Sequence, residues 1–118
     1  MRILLAENNE LMGVLIQSVL NGAGYNTDLV VDGIKVFEKL NSVTYDLIVS
    51  EILLPYYTGL EVLYFLNKLS NRPRAIILSS VQNMNTVHQA YHLNVDLYIT
   101  KPFDPDRLPQ EIEKIGVI

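Results

Sequence analysis

Short apolar runs rich in β-branched residues alternate along this chain with stretches of helical period. Ile3 to Ala6 reads as a buried strand. Asn9 to Ala23 reads as a helix, with Leu11, Leu15 and Val19 spaced by four and Met12, Ile16 and Leu20 beside them. Those positions predict a broad apolar face, and Gly22 and Gly24 punctuate its end. Thr27 to Val31 is a second strand, weakened by Asn26 and Asp28, and Gly33 to Asn41 is a short helix. Asp46 to Ser50 is a third strand centred on Leu47-Ile48-Val49. Pro55 and Gly59 bracket a loop, and Leu60, Leu63 and Asn67 mark one edge of a helix running to about Leu69. Arg74 to Ser79 is a fourth strand, and Asn83 to Leu93 reads as a helix with Met84, Val87 and Tyr91 on one side. Leu97 to Thr100 is the fifth strand, and Asp106 to Ile115 the last helix, with Leu108, Ile112 and Ile115 inward.

Five strands, each followed by a helix, predict an α/β domain. Strands one, three and four are apolar throughout, so helices should cover both faces of a parallel sheet. A doubly wound sheet places its functional site at the carboxyl ends of the strands, near the switch in strand order. Glu7-Asn8, Glu51, Ser79-Ser80 and Lys101 all fall there. Two carboxylates, a hydroxyl and an ammonium from four strands can hold a divalent cation and a phosphoryl group. The carboxylates suit the metal; the hydroxyl and ammonium suit phosphate oxygens. One charged residue ending a strand is commonplace, but four converging on one edge are not.

Composition narrows the function classes. The 118 residues fit one domain, expected to span 1–118, and 49% are hydrophobic while 19% are charged. A net charge of −4 argues against a nucleic-acid surface, which needs clustered Lys and Arg. Without cysteine there is no disulfide or thiolate chemistry. The N-terminal apolar run meets Glu7 too early for a signal peptide or membrane span, so the expected location is cytoplasmic.

Five ordered segments carry a family resemblance. They are Ile3-Leu4-Leu5-Ala6-Glu7-Asn8, the run from Tyr45 through Glu51 to Pro55, Thr58-Gly59-Leu60-Glu61-Val62-Leu63, Ile76-Ile77-Leu78-Ser79-Ser80, and Asp96 through Lys101-Pro102-Phe103. Together they resemble the receiver domain of two-component response regulators over the whole chain. The resemblance implies a flavodoxin-like, doubly wound five-stranded parallel sheet in the order 2-1-3-4-5, with five helices. It places Glu7 and Asn8 at the acidic pair that holds Mg²⁺, Glu51 at the phosphoacceptor, and Leu53 at the backbone carbonyl that joins the metal. Ser79 stands at the phosphoryl-gripping hydroxyl, Lys101 at the ammonium beside it, and Tyr98 at the aromatic that turns inward on activation. Pro102 follows the lysine through a peptide bond that is often cis.

Three of those positions depart from the family's residue. Its phosphoacceptor is an aspartate, and here it is Glu51; one extra methylene shifts the carboxylate by roughly 1–1.5 Å, enough to cost about a hundredfold in rate. Asn8 removes a charge from the metal site, and a neutral amide is a poor substitute for a carboxylate toward Mg²⁺. Glu7 is also longer than the family's aspartate. Glu51 offers one negative charge further out, within reach of Lys101 and Ser79. A metal-free Glu51–Lys101 pair would then fix one conformation without phosphate; at about 4 Å its Coulomb attraction is roughly 4 kcal/mol before desolvation.

His88 and His92 lie one helical turn apart, a spacing that can bind a metal, but two solvent-facing histidines are the commoner outcome of such a match. Tyr56 and Tyr57 sit in the loop beside the site, as sheet-edge caps or partner anchors. Tyr91 and Tyr98 flank the fourth-helix and fifth-strand face that receivers commonly use for dimers and targets. Leu97, and Glu111 and Glu113 with only Lys114 after them, weaken the specific dimer pattern of the transcription-factor subfamily. The leading expectation is a non-enzymatic interaction module, without a cofactor or with weakly held Mg²⁺ at most. It would bind a histidine kinase or downstream effector through the face formed by the fourth helix, fifth strand and fifth helix, or pair with a second copy. It would contact neither nucleic acid nor membrane. The alternative is a phosphorylatable, Mg²⁺-dependent receiver from a larger regulator with a DNA-binding output domain. A flavodoxin-like binder of FMN or a nucleotide is opposed by the lack of a Gly-rich or Ser/Thr-rich phosphate loop after the first strand.

Overall fold

The computed structural model describes residues 1–116. Strands β1 (Arg2–Ala6), β2 (Asn26–Val30), β3 (Leu47–Ser50), β4 (Arg74–Ser79) and β5 (Leu97–Thr100) form one parallel sheet in the order β2-β1-β3-β4-β5. Helices α1 (Glu10–Gly22), α2 (Gly33–Ser42), α3 (Gly59–Leu66), α4 (Met84–His92) and α5 (Leu108–Lys114) connect and cover it, a 3-10 turn at Pro105–Arg107 leading into α5. The doubly wound fold with five parallel strands is therefore the one expected.

Alternate residues of each central strand point to opposite faces. Leu4, Ala6, Ile48 and Ile77 enter one apolar cluster with Val36, Val62, Leu63 and Leu66 from α2 and α3. Ile3, Leu5, Leu47, Val49 and Ile76 enter the other, with Ile16 and Leu20 from α1 and Leu108 and Ile112 from α5. Two buried faces explain why these runs are apolar without alternation. Helix starts are fixed by side-chain caps: Asn9 accepts from Met12 N–H, Asp32 from Lys35 N–H and Asn83 from Thr86 N–H. Thr58 and Glu61 form a reciprocal capping box on α3.

The structure narrows the apolar face expected on α1. On α1 the buried stripe is Gly13, Ile16 and Leu20. Leu11 is 83% and Leu15 49% exposed, so of the broad face expected Ile16 and Leu20 reach the core while Leu11 and Leu15 lie away from it. Gly13 explains the choice, because a Cβ there would meet Leu29 at 2.9 Å, so the helix lies close on β2 along that line. On α4 only Ala90 is buried, while Met84 and Tyr91 face solvent. A small alanine lets α4 approach the sheet, and its larger apolar residues turn outward. Several ends also differ. α3 stops at Leu66 rather than near Leu69, β2 spans Asn26–Val30 rather than ending at Val31, and the segment from Pro105 begins as a 3-10 turn. No helix among the described residues is long and apolar enough to cross a membrane.

Candidate functional site

The register aligns Ala6 with Ser50, Ser50 with Ile77, and Ser79 with Thr100. The next residues along β1, β3 and β5 are Glu7, Glu51 and Lys101, which the sheet delivers to one edge beside Ser79. Glu7 is 2%, Glu51 4% and Ser79 0% exposed. A buried carboxylate must be paired or hydrogen-bonded to persist as a charge, and both are.

Glu51 turns back onto the loop that follows it. The N–H groups of Ile52 and Leu53 donate to its Oε1 at 3.0 and 3.2 Å, and the Ser79 hydroxyl donates to the same oxygen. Its Oε2 lies 2.9 Å from Lys101 Nζ. Glu7 Oε1 lies 2.6 Å from the same ammonium, and Glu7 Oε2 accepts from Asn9 N–H at 3.1 Å. Lys101 thus bridges two buried carboxylates, which leaves the cluster one negative charge in excess. Burial alone would lower the Lys101 pKa, but hydrogen bonds and charge from Glu7 and Glu51 outweigh it and hold the ammonium above its usual value.

Every carboxylate oxygen of Glu7 and Glu51 therefore has a protein donor. Asn8 is exposed and neutral. No group of three or more acidic, His or Cys side chains that could hold a metal occurs among the described residues. As arranged, the donors do not fit Mg²⁺, which wants carboxylate oxygens free to enter a tight octahedral shell.

Backbone geometry holds the loop under Glu51. Gly59 N–H donates to Ile52 C=O at 2.9 Å, and a Cβ at Gly59 would sit 2.5 Å from the Glu51 carbonyl oxygen, so only glycine fits. Gly33 N–H donates to Pro55 C=O, and a Cβ on Gly33 would meet Tyr57 at 2.5 Å. Tyr57 packs edge-on to Phe37 at 4.8 Å, while Tyr56, at φ 72°, projects its ring into solvent.

A hydrogen-bonded chain leads away from Glu51 toward β5. Val81 N–H donates to Ser79 Oγ at 3.1 Å, and the Tyr98 hydroxyl donates to Val81 C=O at 2.5 Å. Tyr98 is half-buried against the α2–α3 side of the core. Burial raises its phenol pKa, and the negative Glu51 pushes the same way. The Tyr91 hydroxyl accepts from Tyr98 N–H at 3.1 Å, and Gln82 donates to Lys101 C=O at 3.2 Å. The Lys101–Pro102 peptide is cis. Ser80, His88 and His92 are exposed and stand outside the network.

Glu51, Ser79 and Lys101 thus meet as the sequence led us to expect. The Glu7–Lys101 pair, the Val81 carbonyl and the Tyr91 hydroxyl were not foreseen. Only the extra length of Glu7 hinted at the first; the other two depend on loop and helix placement that no motif encodes.

A doubly wound parallel sheet with buried carboxylates, a hydroxyl and an ammonium at its strand ends defines a flavodoxin-like domain with its polar site at the switch in strand order. The model of the response regulator receiver domain matches residues 3–113, and the chain belongs to that family, the receiver domains of two-component systems. It is 30% identical over 115 residues to the probable transcriptional regulator ycf29 of Porphyra purpurea, covering 96% of this chain and 55% of that protein. It is 33% identical over 108 residues to the transcriptional regulatory protein DltR of Streptococcus agalactiae, covering 92% and 48%. The chain thus spans about half the length of these curated relatives. A CheY-like response regulator receiver domain protein from Methanospirillum hungatei superposes with a TM-score of 0.90 at 23% identity, covering 97% of this chain and 92% of that one.

Proposed function

We propose that this receiver domain signals by binding a protein partner without being phosphorylated at Glu51. The observation that carries this reading is the engagement of Glu51 with both Lys101 and Ser79. In the family's chemistry, as the resemblance gives it, those two side chains would grip the phosphoryl group. Here a carboxylate one methylene longer already reaches them, and the same ammonium holds Glu7. Attack on a phosphoryl donor needs a carboxylate oxygen free of competing donors; both Glu51 oxygens have them.

The chain of bonds from Ser79 through Val81 to Tyr98 gives the arrangement an outward path. Tyr98, held through Val81 and beside Tyr91 of α4, gives the face of α4, β5 and α5 one fixed form for a histidine kinase, a downstream effector or a second copy. The domain is then an interaction module rather than an enzyme, and needs no Mg²⁺. A Mg²⁺ titration followed by amide NMR tests this: no saturable shift at low millimolar Mg²⁺ is expected. Saturation with shifts centred on Glu7 and Glu51 would instead favour a phosphorylatable, Mg²⁺-dependent receiver.

A further inference from the structure

His88 and His92 are the only histidines of the chain. They lie one turn apart on α4, both exposed, and line one shallow surface depression with Gln89 and Leu93. At this spacing two side chains share a helix face with Cβ atoms about 5–6 Å apart, within reach of one ion. Neither imidazole takes part in a hydrogen bond or ion pair among the described residues, so no protein donor competes for their lone pairs. His92 lies in the last turn, where the negative end of the helix dipole favours a cation.

We propose that His88 and His92 form a surface clip for a borderline transition-metal ion of the Zn²⁺, Ni²⁺ or Cu²⁺ class. Two imidazole nitrogens occupy two coordination positions and water the rest. The clip acts on the helix least anchored by burial, since Ala90 is the only buried residue of α4. Such an element opens locally at low cost, and an ion that needs both histidines at helical spacing binds only its closed form. Tyr91, on the same helix, accepts the Tyr98 N–H, so stiffening α4 also steadies the far end of the Ser79–Val81–Tyr98 path. The site is independent of whether Glu51 is ever phosphorylated.

The test is a titration of the intact protein with Zn²⁺ alone in a non-chelating buffer, read by amide NMR and by hydrogen exchange. Saturable shifts centred on His88 to Leu93 are expected. At about ten times the dissociation constant, exchange of α4 amides should slow roughly elevenfold. H88A and H92Q should each weaken binding by at least about tenfold, because each removes one of two ligands. Both changes lie on an exposed helix face and put good helix formers there, so the fold is kept. No saturable shift up to about 1 mM, shifts centred on Glu7 and Glu51, or an unchanged titration in H92Q would overturn the proposal.

Discussion

Replacing Lys101 with methionine keeps most of the side-chain volume and removes the only cation from the buried cluster. At 2.6 and 2.9 Å from Glu7 and Glu51, each attraction is roughly 6 kcal/mol at an effective dielectric near 20, before desolvation. The net loss is smaller, because an ammonium returned to water regains hydration. Removing one partner of a buried pair typically costs about 3–5 kcal/mol. Here two carboxylates, 2% and 4% exposed, lose their shared partner, so the upper half of that range applies. At about 4 °C per kcal/mol for a domain of this size, K101M should melt roughly 15–20 °C lower. E51Q gives the contrast. It leaves Lys101 paired with Glu7, and the amide oxygen can still accept from Ile52, Leu53 and Ser79, but the amide NH2 then faces the Lys101 ammonium, so the cost should be about 1–3 kcal/mol, below that of K101M. Urea unfolding of both variants is the assay. A K101M cost below about 1 kcal/mol, or one no larger than that of E51Q, would refute the bridging role of Lys101.

Other outcomes follow from single contacts. Y98F removes the bond to the Val81 carbonyl; it should cost about 0.5–1.5 kcal/mol and shift Val81 and Ser79 amide resonances, and silence at both would cut the path from Glu51 to β5. G59A drives a Cβ to 2.5 Å from the Glu51 carbonyl oxygen, so the Ile52–Gly59 loop must open at about 1–3 kcal/mol; a neutral result in urea unfolding would contradict the described loop. Burial alone would raise the Asp28 pKa, but hydrogen bonds from Tyr45 and Arg2 outweigh it and hold it below the ordinary value of 3.8. Its contribution is thus present above that value and lost as pH falls through the lower folded pKa. D28N should accordingly flatten part of the acid limb of the stability curve, measured by urea unfolding between neutral pH and about pH 3.

How far the sequence reveals this molecule depends on what each residue's neighbours are. The central strands are legible because two buried faces demand unbroken runs such as Ala75-Ile76-Ile77-Leu78. The strand order came from family resemblance and not from hydropathy, which says nothing about which strands are adjacent. On α1 there are more apolar residues than the sheet can cover. Leu11 looks as fit for the core as Leu20, and only the Gly13–Leu29 approach decides between them. On α4 the buried residue is the inconspicuous Ala90, which no apolar periodicity singles out. At the site, Glu51, Ser79 and Lys101 were legible because their strand ends fix where they go. Lys101 reaching Glu7, 94 residues away in sequence, depends on side-chain length and register together.

On the proposed function, the Glu51 carboxylate stands where a phosphoryl group would act. Incubation with acetyl phosphate, and separately with beryllofluoride, read by intact mass and amide NMR, tests it most directly. An unchanged mass and unshifted resonances at Ser79, Tyr98 and Lys101 are predicted under both treatments. A stoichiometric phosphoryl mass gain, or a beryllofluoride shift centred on Tyr98, would contradict it.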